Sequence, residues 1–241
     1  RMTSSRLPGK VLMTACEKPM LELMIERVKR IEFVDEIVVA TTVNEADQPI
    51  ADLADRLGVG CYRGSEDDVL GRVLGAAQGV DADVIVELTG DCPLIDPNVA
   101  SQVLEFYLRH DFDYVSNDHF PVGEGFDFEA HPYAVYESYP MGIDAEIFST
   151  ETLARADRET SDPEDREHVS LYLIREPKFS MGLVPAPPNL HRPKLRLTLD
   201  VESDYQIIRS VYEELYRSNP EFTLSDILTL VDRNPAEFEI D

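Results

Sequence analysis

Tryptophan is missing from the 241 residues, cysteine occurs three times and lysine only five times. Cys16, Cys61 and Cys92 are odd in number and far apart, with no CxxC pair and no histidine at metal-ligand spacing. That pattern gives no disulfide framework and argues against structural zinc; it fits the reduced thiols of a cytoplasmic protein. Long apolar runs are missing too: no stretch of about 18 apolar residues occurs, so no membrane-spanning helix is expected. No charged-then-apolar leader stands ahead of the first motif, which leaves a signal peptide unsupported. Positive charge is scarce, with 47 Asp and Glu against 22 Lys and Arg and a formal net charge of -25. Such a field disfavours nucleic acid as a ligand. A Lys-poor, Asp-rich surface also fits a cytoplasm rich in salt, where screening quenches self-repulsion.

Against that acidic background, the first ten residues stand out: Arg1-Met2-Thr3-Ser4-Ser5-Arg6-Leu7-Pro8-Gly9-Lys10. Ser4, Ser5 and Gly9 suit a backbone that turns its N–H groups toward an anion, and Pro8-Gly9 sets the turn. Arg1, Arg6 and Lys10 supply fixed positive charge, so the segment reads as a phosphate-gripping loop. The alternative is a basic arm that happens to contain serines.

After the loop, apolar and β-branched runs alternate with helical periodicity. Helices are expected over 19–30, 48–57 (stopped by Gly58), 67–78, 96–110 (opened by Asp96-Pro97), 151–156, 162–174 (capped by Asp162), from a Ser203/Gln206 capping pair to 217, and 225–231. Strands are expected over 36–41, near Cys61, and over 83–88, 112–116, 145–148, 179–184 and 195–199. This order predicts an α/β fold with a doubly wound, mostly parallel sheet, helices on both faces and one domain over 1–241. The stretch 117–140, rich in Gly, Pro and aromatics, breaks the rhythm and reads as a short extended β-arm offering a partner surface, or as a lid.

Two carboxylates stand at the carboxyl ends of apolar strands, Asp91 after Val84 to Leu88 and Asp200 after Leu195 to Leu199. In open α/β sheets ligands bind at that edge, and two carboxylates brought together there suit Mg2+ completed by waters and phosphate oxygens. Glu202 and Asp204 are secondary candidates. A strand-end Asp also serves as a helix cap or turn residue.

Six further motifs follow in order: Ala40-Thr41-Thr42, Tyr62-Arg63-Gly64-Ser65-Glu66-Asp67-Asp68-Val69-Leu70-Gly71-Arg72, Leu88-Thr89-Gly90-Asp91-Cys92-Pro93-Leu94-Ile95, Gly142-Ile143-Asp144-Ala145-Glu146-Ile147-Phe148, Arg166-Glu167-His168-Val169 and Arg196-Leu197-Thr198-Leu199-Asp200. Together with the first decade, they resemble the sugar cytidylyltransferases that make CMP-activated acidic sugars. The resemblance is to the acylneuraminate and 3-deoxy-manno-octulosonate enzymes, and most closely to the spore-coat polysaccharide branch; it spans nearly the whole chain. In that family an apolar first strand precedes the loop, so residues upstream of Arg1 are expected. The resemblance implies the Rossmann-like nucleotide-diphospho-sugar transferase fold and, from the arm, a homodimer. It implies attack of a sugar hydroxyl on the α-phosphate of CTP with release of pyrophosphate, using Mg2+ held by Asp91 and Asp200. Arg1, Arg6 and Lys10 would neutralise the leaving group, a lysine suiting a migrating phosphate as a mobile point charge. Ser4, Ser5, Gly9, Thr41, Arg63, Arg72, Thr89 and Gly90 would line the nucleotide, with Asp68 holding Arg63 or Arg72. Asp144, Glu146 and His168 would face the sugar, Arg166 less so; His168 also fits a partly buried, satisfied histidine. Other readings remain: another nucleoside triphosphate, a phosphorylated small-acid acceptor, or a nucleotide-binding domain without turnover within a larger protein.

Overall fold

Val38–Thr42, a β-branched run, forms a strand in the computed structural model of the protein, which describes residues 1–117 and 138–238. Most of the arm expected at 117–140 lies outside the described residues.

The first strands are a short hairpin, β1 (Thr14–Ala15) with β2 (Lys18–Pro19), leading directly into helix α1 (Met20–Val28). Strand β3 (Val38–Thr42), helix α2 (Gln48–Leu57) and strand β4 (Gly60–Gly64) follow, with β3 and β4 paired in parallel. Gly58 closes α2 in the left-handed region at φ 65, where the missing Cβ removes the steric cost. Helix α3 (Val69–Gly79) then leads to β5 (Val84–Glu87), and α4 (Pro97–Arg109) to β6 (Tyr114–Ser116). Asp96 caps α4 by accepting the Asn98 and Val99 amides, as Asp96-Pro97 foretells.

Strand β7 (Glu146–Ser149) is followed by α5 (Thr150–Glu159), α6 (Pro163–Glu167), α7 (Leu171–Arg175) and β8 (Met181–Leu183). The four-stranded sheet has the order β5-β7-β6-β8. Three of its strands, β5, β6 and β8, run one way and β7 runs against them. Tyr114 and Phe148 face a core built with α3, α5 and α7; Val115 and Ile147 face another. The second core includes α1, α4 and the last helices, α8 (Glu202–Leu215), α9 (Leu224–Arg233) and α10 (Pro235–Phe238). Period-2 alternation thus builds the expected two-sided sheet.

Three local expectations are corrected. The helix expected over 162–174 is two short ones: His168 leaves the helical region (φ -105, ψ 52) and Val169 turns into the core. Residues 195–199 form no strand; they run beside Met141 and Asp91, held by Leu197 N–H to Met141 O (2.8 Å) and Leu199 N–H to Asp91 O (2.7 Å). There Gly142, at φ 96, is irreplaceable, because a Cβ would stand 2.8 Å from the Leu197 carbonyl carbon. The opening of α8 uses Asp204, not a Ser203/Gln206 pair: its carboxylate reaches back to the Asp200 and Val201 amides at 2.8 and 3.0 Å.

Candidate active site

The loop over residues 1–10 is closed by Gly9, which sits at φ 72 and donates its N–H to the Met2 carbonyl at 3.0 Å. Its outer end is pinned by a residue that sequence reasoning missed. Asp47 is fully buried, its Oδ1 accepting the Met2 amide at 2.7 Å and its Oδ2 accepting both hydroxyls of Thr41 and Thr42, 2.7 Å each, and the Thr42 amide. Burial pushes this carboxyl up, but the four donors outweigh it and hold its pKa at about 2. Thr41, expected on the nucleotide, therefore supports the loop from beneath.

The turn delivers Lys10 into the interior, 8% exposed, with its ammonium between the two acids: 2.8 Å from Asp91 Oδ2 and 3.0 Å from Asp200 Oδ1. Arg6 reaches Asp200 Oδ1 at 2.8 Å, and Arg196 reaches Asp200 Oδ2 at 2.5 Å. Arg196 is steadied by Asp204, only 3% exposed, through its Nε at 3.4 Å. Burial raises the Asp200 carboxyl, and the Lys10 ammonium, then Arg196 and Arg6, override it and hold it below the ordinary range. The backbone bond from Leu199 to Asp91 ties the two acidic segments together. Four expected residues, Arg6, Lys10, Asp91 and Asp200, thus form one cluster, and Arg196 joins them. Its spacing of four from Asp200 was visible in the sequence, though no role was attached to it.

The remaining residues spread along the same edge. Thr89 and Gly90 are exposed in a turn closed by Cys92 N–H to Thr89 O. Arg1 pairs with Glu66 at 3.3 Å; Ser4 is half-buried and Ser5 exposed on the loop. The expected grip of Asp68 on Arg63 or Arg72 is not found. Asp68 instead accepts two bonds from Arg166 (2.8 and 2.6 Å) and caps α3 through the Gly71 amide. Bidentate guanidinium geometry, supplied from the neighbouring α6, wins that carboxylate. Arg63 instead donates to the Thr42 and Asn44 carbonyls (2.9 and 2.7 Å) and to Gln48, bracing the turn after β3. Arg72 donates to the Ser65 carbonyl at 2.6 Å; burial, then Arg1, lowers its pKa.

Of the residues expected to face the sugar, Asp144 accepts the Gly142 amide at 3.0 Å, and Glu146 lies directly across from Glu87 in the β5–β7 register. Burial, then Glu146, Asp91 and Asp144, push the Glu87 carboxyl up. His168 is exposed where α6 ends, not partly buried.

A cation already marks the place where a metal would fit: Asp91 and Asp200 hold one ammonium between them. Hard carboxylate oxygens are the donor set of Mg2+. Among the described residues no group of three His, Cys, Asp or Glu is arranged to hold a metal, so substrate oxygens and water would complete such a site.

The sequence model of the cytidylyltransferase family matches residues 1–219. The spore coat polysaccharide biosynthesis protein SpsF of Bacillus subtilis is 31% identical over 98% of this chain and 92% of its own length. A 3-deoxy-manno-octulosonate cytidylyltransferase of Trichlorobacter lovleyi is 38% identical over 45% of this chain and 42% of itself. The solved structure of a cytidylyltransferase from Leptospira borgpetersenii superposes with a TM-score of 0.87 at 30% identity, covering 100% of this chain and 94% of that one. Matched by the family model over most of its length, and sharing its fold from end to end with an enzyme of that class, the chain belongs to the cytidylyltransferase family.

Proposed function

We propose that this protein transfers CMP from CTP to the hydroxyl of an acidic sugar, releasing pyrophosphate, for the assembly of a surface polysaccharide. The observation that carries the reading is the ammonium of Lys10 set between Asp91 and Asp200, with Arg6 and Arg196 on the same carboxylate. The printed names of the relatives support the donor and the class of acceptor.

In this reading Lys10 and Arg6 meet the phosphate chain and neutralise charge as pyrophosphate leaves, with the Gly9 turn setting the Lys10 stem in place. Asp91 and Asp200 would hold Mg2+, which when bound supplies charge neutralisation and orientation for the reacting oxygens. Arg63 keeps the pocket wall after β3 rigid, and Thr89 with Gly90 borders the base. Asp144 and Glu146 receive hydroxyls of the sugar. No side-chain nucleophile is required; positioning and preorganised charge carry the rate. The enzyme acts in the cytoplasm as one nucleotidyltransferase domain, paired with a second copy through 117–140.

The test is pyrophosphate release with CTP, UTP, GTP and ATP, each with Mg2+ and a panel of 3-deoxy-sugar acids and nonulosonic acids. Release with CTP and one acid alone is expected. Equal release with another triphosphate would reassign the donor, and binding without release would leave a nucleotide-binding subunit.

A further inference from the structure

We infer that Lys10 is the resident cation of the Asp91–Asp200 pair, and that it yields this place only when a nucleoside triphosphate takes its ammonium, so that divalent metal enters with the nucleotide and not ahead of it. This rests on the reading of Asp91 and Asp200 as the metal-holding acids.

Asp200 Oδ1 accepts from both Lys10 and Arg6, Asp200 Oδ2 from Arg196, and Asp91 Oδ2 from Lys10. Three of the four carboxylate oxygens of the pair are thus already bound to cationic donors, Asp91 Oδ1 being the exception. Mg2+ demands a near-ideal octahedron of oxygens, which an ammonium in the same gap blocks by volume and by like charge.

The charge count points the same way. Within the hydrogen-bonded cluster three cations, Lys10, Arg6 and Arg196, stand against three carboxylates, Asp91, Asp200 and Asp204, with Asp144 and the Glu87–Glu146 pair beside Asp91. A divalent ion entering alone would push the Lys10 ammonium off both its carboxylate partners and leave it unpaired in a nearly buried place, an arrangement disfavoured at low dielectric. A triphosphate arriving with the metal supplies new acceptor oxygens for the displaced ammonium.

The three cations also differ in freedom. Arg196 is clamped between Asp200 and the buried Asp204. Arg6 carries a side chain 61% exposed and can leave at little cost. Lys10 has a flexible stem and a point charge, and the same N–H groups that hold two carboxylates can turn to phosphate oxygens without a fixed fork geometry. The exchange is therefore assigned to Lys10, with Arg196 holding Asp200 in place throughout.

The experiment uses Mn2+ as the probe, its bound and free forms counted by electron paramagnetic resonance, on the full chain with and without CTP. Wild-type protein without nucleotide is expected to take up little Mn2+. Lys10→Met, which keeps the apolar stem, should bind Mn2+ without nucleotide about tenfold more tightly than wild type or better. The further change Asp200→Asn should remove that gain. Wild type binding Mn2+ as tightly as Lys10→Met, or Lys10→Met gaining nothing, would overturn the exchange. The wild-type melting midpoint gives a second readout that needs no variant: unchanged by Mn2+ alone and raised by Mn2+ with CTP if the exchange holds, raised by Mn2+ alone if it does not. Pyrophosphate release measured on the same wild-type sample separates the two readings. Release with an overturned exchange leaves cytidylyl transfer standing, and an intact exchange without release with any acceptor leaves the metal logic standing without the reaction.

Discussion

Lys10 reaches its two carboxylates because Gly9 adopts φ 72, so the chemistry of the ammonium depends on a glycine beside it. A Cβ at Gly9 would meet Met2 Cε at 3.3 Å in a backbone region that L-residues avoid, and Gly9→Ala should therefore cost about 1 to 2 kcal/mol in chemical denaturation and lower turnover with it. Lys10→Ala should lower kcat by about 100-fold or more, by the measure of other preorganised charge contacts, with the far-UV spectrum retained; near-normal pyrophosphate release would remove the loop from the site. Asp47 gives a pH signature with a defined sign. Its folded pKa of about 2 lies below the value near 3.9 of an unfolded chain, so its contribution is complete above that unfolded value and disappears as pH falls through the folded one. The size is on the order of 2 to 3 kcal/mol. Urea titrations between pH 5 and about 2 should show wild type losing more stability than Asp47→Asn, which starts lower; parallel curves would mean that the carboxylate does not hold the loop.

Between elements, the contact that decides geometry is Asp68 at the start of α3 with Arg166 on α6. Arg166 also reaches Asp157 of α5 at 2.8 Å, so one guanidinium joins three helices. Gly71 is required beneath it, since a Cβ there would stand 2.4 Å from Asp68 Oδ2. Arg166→Lys and Asp68→Asn should each destabilise and should be non-additive, with a coupling of about 1 kcal/mol in a double-mutant cycle; a coupling of zero would reduce the contact to solvated charge. The sequence announced what is local. Asp96-Pro97 opens α4, Gly58 ends α2, and alternation put Tyr114 and Val115 on opposite faces. The acids after apolar runs, Asp91 and Asp200, do meet at the site, but Asp200 comes there on an extended loop held by Met141 and Asp91 and not on a strand. What it hid depends on distant partners or on turns without turn residues. Asp68 and Arg166 are 98 positions apart, and nothing nearby tells Asp68 to prefer Arg166 over Arg63 or Arg72. Cys16 and Glu17 take positive φ values of 49 and 64 in the β1–β2 hairpin, where Asn-Gly would have signalled the turn. Residues 195–199 carry a strand pattern, yet their partners are Met141 and Asp91 in loops, so apolar periodicity alone overstates the ladder.

At the scale of the whole molecule, the net charge of -25 and the make-up of the site act on salt dependence together. Six of the 22 basic residues, Arg1, Arg6, Lys10, Arg63, Arg72 and Arg196, stand along the candidate site, which leaves the rest of the surface still more acidic. Self-repulsion of that surface weakens as the Debye length shrinks from about 10 Å at 0.1 M to about 3 Å at 1 M, so the melting midpoint should rise with NaCl. Association with CTP follows the same direction. Lys10, Arg6 and Arg196 are matched by Asp91, Asp200 and Asp204, with Asp144 and Glu146 close by, so the site itself exerts little long-range pull, and an approaching triphosphate meets the repulsive field of the whole chain first. Screening that field should raise kcat/KM for CTP between about 50 mM and 0.5 M NaCl, opposite in sign to an enzyme that steers its anion through a basic funnel. Stopped-flow binding of a fluorescent CTP analogue across that range separates the cases. An association rate that rises with salt places the repulsion at long range, and one that falls shows that the loop's arginines reach beyond their own carboxylates and dominate the approach.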